Sequence, residues 1–321
     1  MATYNLHISG LDKLLDSSVS NATENAIIKA LLDSDPFQKQ HGTIGVDVES
    51  QGGAYSIGSD YKLFLDVGSS NSMTLTSPGG VVIAAGDGGN TIIDQGPGGD
   101  TLIGGAGADK LQVTSGDNVL IGNGSLTTVA GGTGHDFMSG GAMLLHGSHF
   151  DDGRGQGNGN GGDHSDDHKH DGDHEGQTFQ ADTLIGGSGN DTFLAYHGNN
   201  VIYAGSGNDT IIAGDGSNTI YGPTMAGATN AVDTIYLGSG DTSIVGGVAG
   251  QAMIYAGMHG DDTILGSSPG QTLTVYSDQS SNNVASTSVN GGITTITFKD
   301  HQSLSLDNLT IHFSNGGKLS V

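Results

Sequence analysis

Residues 186–221 read, in consecutive blocks of nine, GGSGNDTFL (186–194), AYHGNNVIY (195–203), AGSGNDTII (204–212) and AGDGSNTIY (213–221). Each block has Gly at its fourth position, Asp or Asn at its sixth and a large apolar residue at its eighth. The Gly-rich half favours a tight turn, and the second half favours a short strand whose central side chain points inward. A single unit cannot bury its apolar residue, whereas stacked units can, so the pattern predicts a solenoid.

An earlier part of the chain follows the same pattern. Its blocks are AGDGGNTII (85–93), QGPGGDTLI (95–103), GGAGADKLQ (104–112), VTSGDNVLI (113–121) and GGTGHDFMS (131–139). Weaker copies follow the second array, at 232–236, 241–245 and 260–266. Two nonapeptides make one coil of 18 residues, so parallel strands should pair from coil to coil around an inner apolar ladder. The predicted ladder includes Ile92, Leu102, Leu111, Leu120, Phe193, Ile202, Ile211 and Ile220.

The composition fits repeated turns and acidic cation sites. Of 321 residues, 58 are Gly, without the three-residue spacing of collagen. The net charge is −25, and only three of the 34 acidic residues are Glu. Asp is a short carboxylate that a turn can hold near the backbone, as in oxygen-ligand cation sites. Such a charge argues against nucleic acid and anionic membranes as partners, and should oppose compaction until cations bind.

Several absences narrow the class of protein further. The chain has no Cys, which removes disulfides and thiolate metal sites and is compatible with an extracytoplasmic location. The segment from Met1 to Leu15 has no basic region followed by an apolar stretch, so we expect no classical signal peptide. There is no apolar run of about 18 residues, so we expect no membrane insertion.

Residues 146–176 differ in composition from both arrays, with Gly, Asp and His prevailing and Phe150 as their only large apolar side chain. Such a segment cannot bury enough surface to offset its ordering entropy, which predicts a flexible insertion projecting from the solenoid. Histidines among carboxylates can bind zinc, nickel or copper loosely. The alternative is a solvated linker without specific ligands. The histidines in question are His164, His168, His170 and His174.

The two ends of the chain lack the repeat. Ala22 to Ser34 is amphipathic and predicts a helix that stops before Pro36. With short strands expected nearby, this end is a candidate cap over the open solenoid. Residues 293–300 and 309–313 alternate like half-buried antiparallel strands, which predicts a C-terminal β cap. The N-terminal strands are expected near 3–8, 43–48, 61–67 and 73–76.

Three blocks, at 104–112, 131–139 and 186–194, match GGxGxDxUx in full, the calcium-binding pattern of RTX (repeats-in-toxin) proteins. The region from about 85 to 275 therefore resembles the calcium-binding β-roll of RTX proteins secreted by Gram-negative bacteria. The resemblance implies calcium ions held between stacked turns by the turn Asp and neighbouring carbonyls. It also implies export by type I secretion machinery, with an uncleaved C-terminal signal, and folding in millimolar calcium outside the cell.

Carried onto this sequence, the resemblance marks a set of metal-site residues. Stacked partners in the second array should be Asp191 and Asp209 on one side, and Asp182, Asn200 and Asn218 on the other. Ionised Asp is a better calcium ligand than neutral Asn, so we expect calcium on the Asp191 side and weaker or no binding where Asn hydrogen bonds could replace ions. The alternative for any single position is a purely structural turn residue. The complete set is Asp100, Asp109, Asp136, Asp182, Asp191, Asp209, Asn200, Asn218, Asp233, Asp262, Gly104, Gly107, Gly186, Gly189, Gly205 and Gly207, with Asp94, Asp215, Asp241 and Asp261 as further possible ligands.

The expected fold is all-β, a parallel β-roll or β-solenoid of nonapeptide repeats with a small α+β N-terminal cap and an antiparallel β C-terminal cap. Five regions follow from the pattern. They are an N-terminal cap with one helix (1–80), a first repeat array (81–145), a His/Asp/Gly-rich insertion (146–180), a second repeat array (181–275) and a C-terminal β cap that would carry the secretion signal (276–321).

Catalytic patterns are missing from the sequence. It has no HExxH, no P-loop, no Cys nucleophile and no GxSxG in a strand–turn–helix context. The non-repetitive N-terminal residues are also too few for most effector domains that RTX toxins, proteases and lipases carry. We therefore expect a protein without enzymatic activity.

The leading hypothesis is a secreted, extracellular or cell-surface calcium-binding structural protein. After folding on calcium it would self-associate through its solenoid ends into a biofilm matrix, a surface layer or filaments. One alternative is an adhesin or an ice- or surface-binding module, which outward Thr ladders would favour, although Thr also suits strands in general. An enzyme housed in a cap or in the insertion is the third possibility. The Thr residues are Thr91, Thr101, Thr183, Thr192, Thr210, Thr219, Thr234 and Thr263.

Overall fold

A computed structural model of the chain shows a long β-solenoid with two helices against one side. It describes residues 2–6, 8–16, 18–33, 44–68, 70–124, 126–140, 181–195, 198–214, 216–222, 232–245, 251–256, 260–265, 272–277, 279–290, 293–307, 310–313 and 315–320. Within this part of the chain, neither helix is long and apolar enough to cross a membrane.

The helices are α1 (Ile8–Asp16) and α2 (Asn21–Asp33), and a 3-10 turn spans Ser281–Asn283. Before residue 141 the strands are β1 (Ala2–Leu6), β2 (Ile44–Glu49), β3 (Gly53–Ser56), β4 (Tyr61–Asp66), β5 (Ser72–Thr76), β6 (Val82–Ala84), β7 (Thr91–Asp94), β8 (Thr101–Ile103), β9 (Lys110–Val113), β10 (Val119–Ile121), β11 (Thr128–Thr133) and β12 (Phe137–Ser139). After residue 180 they are β13 (Thr183–Ser188), β14 (Thr192–Leu194), β15 (Val201–Ser206), β16 (Thr210–Ile212), β17 (Asn218–Tyr221), β18 (Val232–Tyr236), β19 (Thr242–Val245), β20 (Gln251–Ala256), β21 (Asp261–Leu265), β22 (Thr272–Ser277), β23 (Val284–Asn290), β24 (Ile293–Phe298), β25 (Ser303–Asp307), β26 (Thr310–Phe313) and β27 (Lys318–Ser320).

These strands form two sheets that face each other across one core. Sheet A has the order β1-β2-β4-β6-β8-β10-β12-β14-β16-β18-β20-β22-β26-β27. Sheet B has the order β23-β24-β25-β21-β19-β17-β15-β13-β11-β9-β7-β5-β3. Through the repeats the chain alternates between the sheets, one short strand in each per coil, and neighbouring strands are parallel. The all-β parallel solenoid predicted from the nonapeptides is confirmed.

The register follows from the repeat length. Leu102 lies beside Leu120, and Phe193 lies beside Ile211, in both cases 18 residues further along the chain. The eight apolar residues of the predicted inner ladder are all 0% exposed. Because side chains alternate across a strand, the residues on either side of each ladder residue face outward or into a turn.

The two repeat arrays form one continuous solenoid. Strand β12 pairs with β14, and β11 pairs with β13, although residues 141–180 separate the arrays in sequence. A Cβ atom built on Gly140 would lie 2.8 Å from Oδ2 of Asp182, so the chain leaves the solenoid and rejoins it at a single turn. The predicted flexibility of the His-rich insertion and its proposed zinc, nickel or copper binding concern residues outside the described part of the chain.

The N-terminal region differs from the sequence-based picture in two ways. It contains two helices instead of one, and these pack against the outer face of sheet A. Leu15 and Ile27 contact this face, to which Val82 and Ile103 contribute. Parallel stacking also begins with β2 on β4, well before the first block that matches the repeat pattern. The helices therefore cover the side of the first coils, and β1 closes the end of sheet A by antiparallel pairing with β2.

At the C-terminal end both sheets turn antiparallel. Strands β25, β24 and β23 form an antiparallel meander, and β26 and β27 form a hairpin. Each unit is joined to the solenoid by a parallel pairing, β25 with β21 and β26 with β22. The alternating residues predicted as antiparallel strands at 293–300 and 309–313 lie in these units.

Candidate metal sites in the solenoid turns

Two columns of buried polar side chains run along the solenoid, one on each side. Column A comprises the residues at the sixth position of each nine-residue block that lie at the start of the sheet A strands. Column B comprises the residues at the same position in the blocks that lead into the sheet B strands. With the exception of Asn71, these side chains are at most 4% exposed. Column A is Asp100, Asn118, Asp136, Asp191, Asp209 and Asp233; column B is Asn71, Asn90, Asp109, Thr127, Asp182, Asn200, Asn218, Thr242 and Asp262.

Side-chain oxygens connect each column from coil to coil. In column A, the backbone N–H of each member as far as Asp209 donates to the Oδ1 atom of the next member, and the N–H of Val81, which precedes the column, donates to Asp100. A short carboxylate or amide is suited to this position, because its oxygen reaches the neighbouring backbone while its Cα remains in register. The distances are 2.9 Å for Val81 to Asp100, 3.1 Å for Asp100 to Asn118, 2.9 Å for Asn118 to Asp136, 2.8 Å for Asp136 to Asp191, 2.8 Å for Asp191 to Asp209 and 3.1 Å for Asp209 to Asp233.

Column B has the same connection over most of its length. It places Asp182, Asn200 and Asn218 in one stack, and column A places Asp191 beside Asp209, so the register expected from the 18-residue coil is found. The distances in column B are 2.8 Å for Asn71 to Asn90, 2.8 Å for Asn90 to Asp109, 2.7 Å for Thr127 to Asp182, 2.9 Å for Asp182 to Asn200, 3.0 Å for Asn200 to Asn218 and 3.0 Å for Thr242 to Asp262.

The second carboxylate oxygen of several column aspartates has no hydrogen-bond donor. In the Asp191 turn, Oδ2 is buried and points to the space beside Gly186, where a Cβ atom would lie only 2.6 Å from it. The carbonyl oxygen of Ala204, from the next coil, borders the same space. Carboxylate and carbonyl oxygens thus converge on a cradle that a side chain at Gly186 would fill, and Cζ of Phe193, 2.9 Å from the same Cβ position, forms its apolar wall. In the two columns, such buried Oδ2 atoms include those of Asp109, Asp136, Asp191 and Asp209.

Burial makes these carboxylates costly to ionise. Desolvation raises the pKa of Asp209 to about 8, and repulsion from Asp233 and Asp191 adds to the increase. The same cause raises the pKa of Asp109 and Asp136 to about 6 and that of Asp262 to about 7. A buried charge of this kind is stabilised when a cation or a set of donors pairs with it.

The donor atoms fit calcium by their chemistry. Calcium prefers oxygen ligands, both carboxylate and backbone carbonyl, in flexible geometry. Within the described ranges no group of three or more Asp, Glu or His side chains is placed to hold a metal ion, so main-chain carbonyls would have to supply ligands beside the carboxylates. This is the ligand type that calcium accepts and that thiolate- or imidazole-preferring metals do not.

The predicted glycines fall into two groups. Gly104 and Gly186 border the carboxylates of Asp109 and Asp191, and a Cβ on either would intrude on Oδ2. The others pack against the backbone of the preceding coil. A Cβ on Gly207, whose φ is +139°, would collide with the carbonyl oxygen of Gly189, so this position requires glycine for both conformation and space. Gly107, Gly189 and Gly205 make equivalent approaches to carbonyl oxygens of neighbouring coils.

Asp100 differs from the other predicted aspartates. Its Oδ2 lies 2.5 Å from the hydroxyl oxygen of Ser77, which is also 2.8 Å from Oδ2 of Asp94. Asp94 is buried as well, and its Oδ1 accepts from the backbone N–H of Gly96 at 3.0 Å. Since one hydroxyl carries one hydrogen, the two carboxylates compete for Ser77. Desolvation raises the pKa of Asp100 to about 6.

A second, exposed pair of columns lies outside the buried ones and runs in the opposite direction. The backbone N–H of His135 donates to Oδ1 of Asp117 at 2.9 Å, and that of Asn208 donates to Oδ1 of Asn190 at 2.8 Å. On the other side, Asp241 and Asp261 occupy such exposed positions, each accepting a backbone N–H at 2.8 Å. Asp215 lies outside the described residues.

Sequence reasoning missed several members of the buried columns. Thr127 belongs to a block, GNGSLTTVA (122–130), that lacks Asp at its sixth position. Asn71 likewise precedes the first recognised block. A signal was present in both cases, because a large apolar residue, Val129 or Met73, follows two positions later, as in every repeat.

Three further buried acids, Asp47, Glu49 and Asp66, lie in β2 and β4 outside the recognised repeats. Oδ1 of Asp66 accepts from the backbone N–H of Gly68 at 2.8 Å and from the amide of Asn71 at 2.6 Å. Desolvation raises the pKa of Asp47 and of Asp66, and Glu49 adds repulsion to both. An acid after a run of apolar residues, as in YKLFLD (61–66), was the available signal.

Comparison with protein-family models matches the chain to the RTX calcium-binding nonapeptide repeat in four copies, at residues 94–125, 127–142, 178–211 and 196–222. No curated protein matches the chain. The matches lie in both arrays, and they include every residue of the predicted metal-site set except Asp233 and Asp262, which lie beyond residue 222 together with the rest of the second array.

Proposed function

We propose that this chain, an RTX-repeat protein with a calcium-binding β-roll, is a secreted structural protein that folds on calcium and then assembles end to end. The observation that carries the proposal is column A, in which consecutive carboxylates are buried beside carbonyl oxygens of the next coil. Bound calcium would offset the buried charge and connect neighbouring turns. A non-catalytic role outside the cell and export by a type I route belong to the same proposal.

Charge is the reason why folding should depend on calcium. The chain carries a net charge of −25 and places many of its acids in closely spaced buried columns. Without cations, compaction brings these carboxylates together and out of water, which opposes folding. With cations bound only to the folded state, the equilibrium shifts towards that state by mass action.

The directions of the end strands support assembly. Sheet B ends in β3 and β23, and two antiparallel steps from β25 to β23 make β23 run in the same direction as β3. Sheet A ends in β1 and β27, each antiparallel to its neighbour, so these two also share one direction. A second copy translated along the solenoid axis would therefore meet both end strands in parallel. Such a head-to-tail contact propagates into a filament.

Exposure of the end strands agrees with such pairing. In β23, Val289 is 72% exposed, and Ala285 to Asn290 are all exposed. At the opposite end of sheet B, Gly53, Ala54 and Ser56 of β3 are exposed as well. An uncovered edge strand offers backbone donors and acceptors to another strand.

Assembly can be tested by electron microscopy and light scattering of dilute monomer before and after calcium is added. We expect filaments only with calcium. Two single variants, Thr287→Pro and Ser288→Pro, separate assembly from folding. The N–H groups of these adjacent residues point to opposite edges of β23, so one proline removes a donor that faces β24 and the other removes a donor at the free edge. The free-edge variant is the informative one. That variant should show the wild-type calcium-induced circular dichroism and remain monomeric. A wild-type sample that stays monodisperse in millimolar calcium contradicts assembly.

Outward Thr ladders favour a second candidate function, a surface-binding module. On the outer face of sheet A, Thr192, Thr210 and Thr234 lie in register on adjacent strands. Regular hydroxyl rows on a flat sheet suit a repetitive surface such as ice or a polysaccharide. Thermal hysteresis or binding to a glycan array would support this function, and neither would be expected of a purely structural filament.

A further inference from the structure

We infer that the asparagine turns of this solenoid are closed by their own side-chain amides in place of a metal ion, which confines calcium to the aspartate turns. The inference rests on the proposed calcium-dependent folding and specifies which turns take part in it.

The amide nitrogens of the column asparagines donate back to carbonyl oxygens of their own turns. In the Asn218 turn, Nδ2 lies 2.9 Å from the carbonyl oxygen of Ala213 and 3.1 Å from that of Gly216. These carbonyls belong to the first and fourth positions of the turn. The other distances are 2.9 and 3.3 Å for Asn200 to Ala195 and Gly198, 2.9 and 3.3 Å for Asn90 to Gly86 and Gly88, and 3.1 and 2.8 Å for Asn118 to Ser115 and Gly116.

Aspartate turns share the bond to the preceding coil but lack this donor. Asp and Asn side chains have nearly the same size, and in both turn types Oδ1 accepts the N–H of the preceding coil. They differ at the second terminal atom. Nδ2 of Asn218 donates to two carbonyls, whereas Oδ2 of Asp191 or Asp209 has no hydrogen-bond partner and cannot donate when ionised.

This difference decides where a cation is needed. In an aspartate turn, the carboxylate and the carbonyls are all acceptors, and a cation placed among them satisfies both. In an asparagine turn, the amide hydrogens already occupy the carbonyl lone pairs, and no negative charge is present. Calcium would have to displace these hydrogen bonds and gain no charge pairing in return.

The arrangement makes the two sides of the solenoid unequal. Column A has aspartate in consecutive coils at Asp136, Asp191, Asp209 and Asp233. Column B has Asn200 and Asn218 in the coils next to these. In the coils of Asn200 and Asn218, the second array would therefore have one edge that requires calcium and one edge that closes without it, whereas Asp182 and Asp262 are aspartate positions within column B.

The test converts asparagine turns into aspartate turns. We expect Asn200→Asp with Asn218→Asp to bind about one more calcium ion per converted turn, measured by equilibrium dialysis, and to need more calcium for folding, measured by circular dichroism. A control is Asn199→Asp, which adds one negative charge, half of what the double variant adds, at an exposed neighbouring position. Its side chain accepts the N–H of Ser217 at 2.9 Å, which a carboxylate can also do. The control should keep the wild-type stoichiometry.

The reverse substitutions give a second test, which remains informative if the Asn200→Asp, Asn218→Asp variant fails to fold. Asp191→Asn with Asp209→Asn adds donors and no charge, and should bind fewer ions and fold at lower calcium than wild type. The inference is overturned if the converted turns bind no more calcium than the Asn199→Asp control, or if the reverse variant keeps the wild-type stoichiometry. A wild-type protein that binds no calcium would instead overturn the proposed function itself.

Discussion

The backbone N–H of Asp136 donates to Oδ1 of Asp191 at 2.8 Å, although 55 residues separate the two in sequence. Between neighbouring coils of the regular repeats the corresponding separation is 18, as between Asp191 and Asp209, and it is 24 between Asp209 and Asp233. The contact therefore spans the His-rich insertion without a change in register. Column A is therefore continuous across both arrays.

Removal of the insertion should leave the solenoid intact. Deletion of residues 141–177 joins Gly140 to Thr178 and restores the 18-residue spacing. Because β12 and β14 already pair, we expect unchanged circular dichroism and an unchanged calcium midpoint of folding. A deletion variant that stays unfolded in saturating calcium would show that the insertion contributes to the fold.

A methyl group at Gly186 should block one calcium site. Its Cβ would lie 2.6 Å from Oδ2 of Asp191 and would press on the carbonyl oxygen of Ala204. We expect Gly186→Ala to lower the free energy of unfolding by about 1–3 kcal/mol in calcium and to bind fewer ions. Gly89→Ala is the control, since its Cβ would meet only the carbonyl oxygen of Ala108, at 3.3 Å. A Gly186→Ala variant that binds as many calcium ions as Gly89→Ala would contradict the proposed cradle, whatever its loss of stability.

Two neighbours in β16 test the inward and outward alternation. Ile211 is 0% exposed in the inner ladder, whereas Ile212 is 41% exposed on the outer face of sheet A. Urea unfolding in saturating calcium should show a loss of about 2–5 kcal/mol for Ile211→Ala. Ile212→Ala should change stability by about 0.5 kcal/mol or less. Similar losses for both would mean that the register of β16 is wrong.

The helical cover should stabilise the first coils. Ile27 of α2 is fully buried in the cluster that joins the helices to sheet A, and Asn25 on the same helix is exposed. We expect Ile27→Ala to accelerate hydrogen exchange of β6 and β8, which contact α2. Strands β14 and β16, far along the solenoid, should exchange as in wild type. The control Asn25→Ala should change neither region, and acceleration throughout the solenoid would contradict a local role.

Sequence periodicity was sufficient for the regular part of the fold. Phe193 and Ile211 were placed in one ladder, and Asp191 beside Asp209, because a constant repeat fixes both the strand period and the coil length. Column members without the consensus, such as Thr127, were missed because the pattern was recognised by its Gly and Asp.

Other features depend on information that a repeat does not contain. Helix α1 was not predicted, and the packing of both helices on the side of sheet A depends on which outer faces are apolar in three dimensions. Ile103 and Ile121 provide such a face, but in sequence they look like any strand residue. The amide closure of the Asn218 turn likewise required the positions of the carbonyl oxygens.

Calcium dependence of folding is tested most directly by circular dichroism of the purified chain after exhaustive dialysis against EDTA, followed by titration with calcium. We predict a spectrum of disordered chain in EDTA and cooperative gain of β structure at millimolar calcium, with magnesium at the same concentration much less effective. A chain that keeps its full β spectrum and its thermal stability in EDTA would contradict the role assigned to the buried carboxylates.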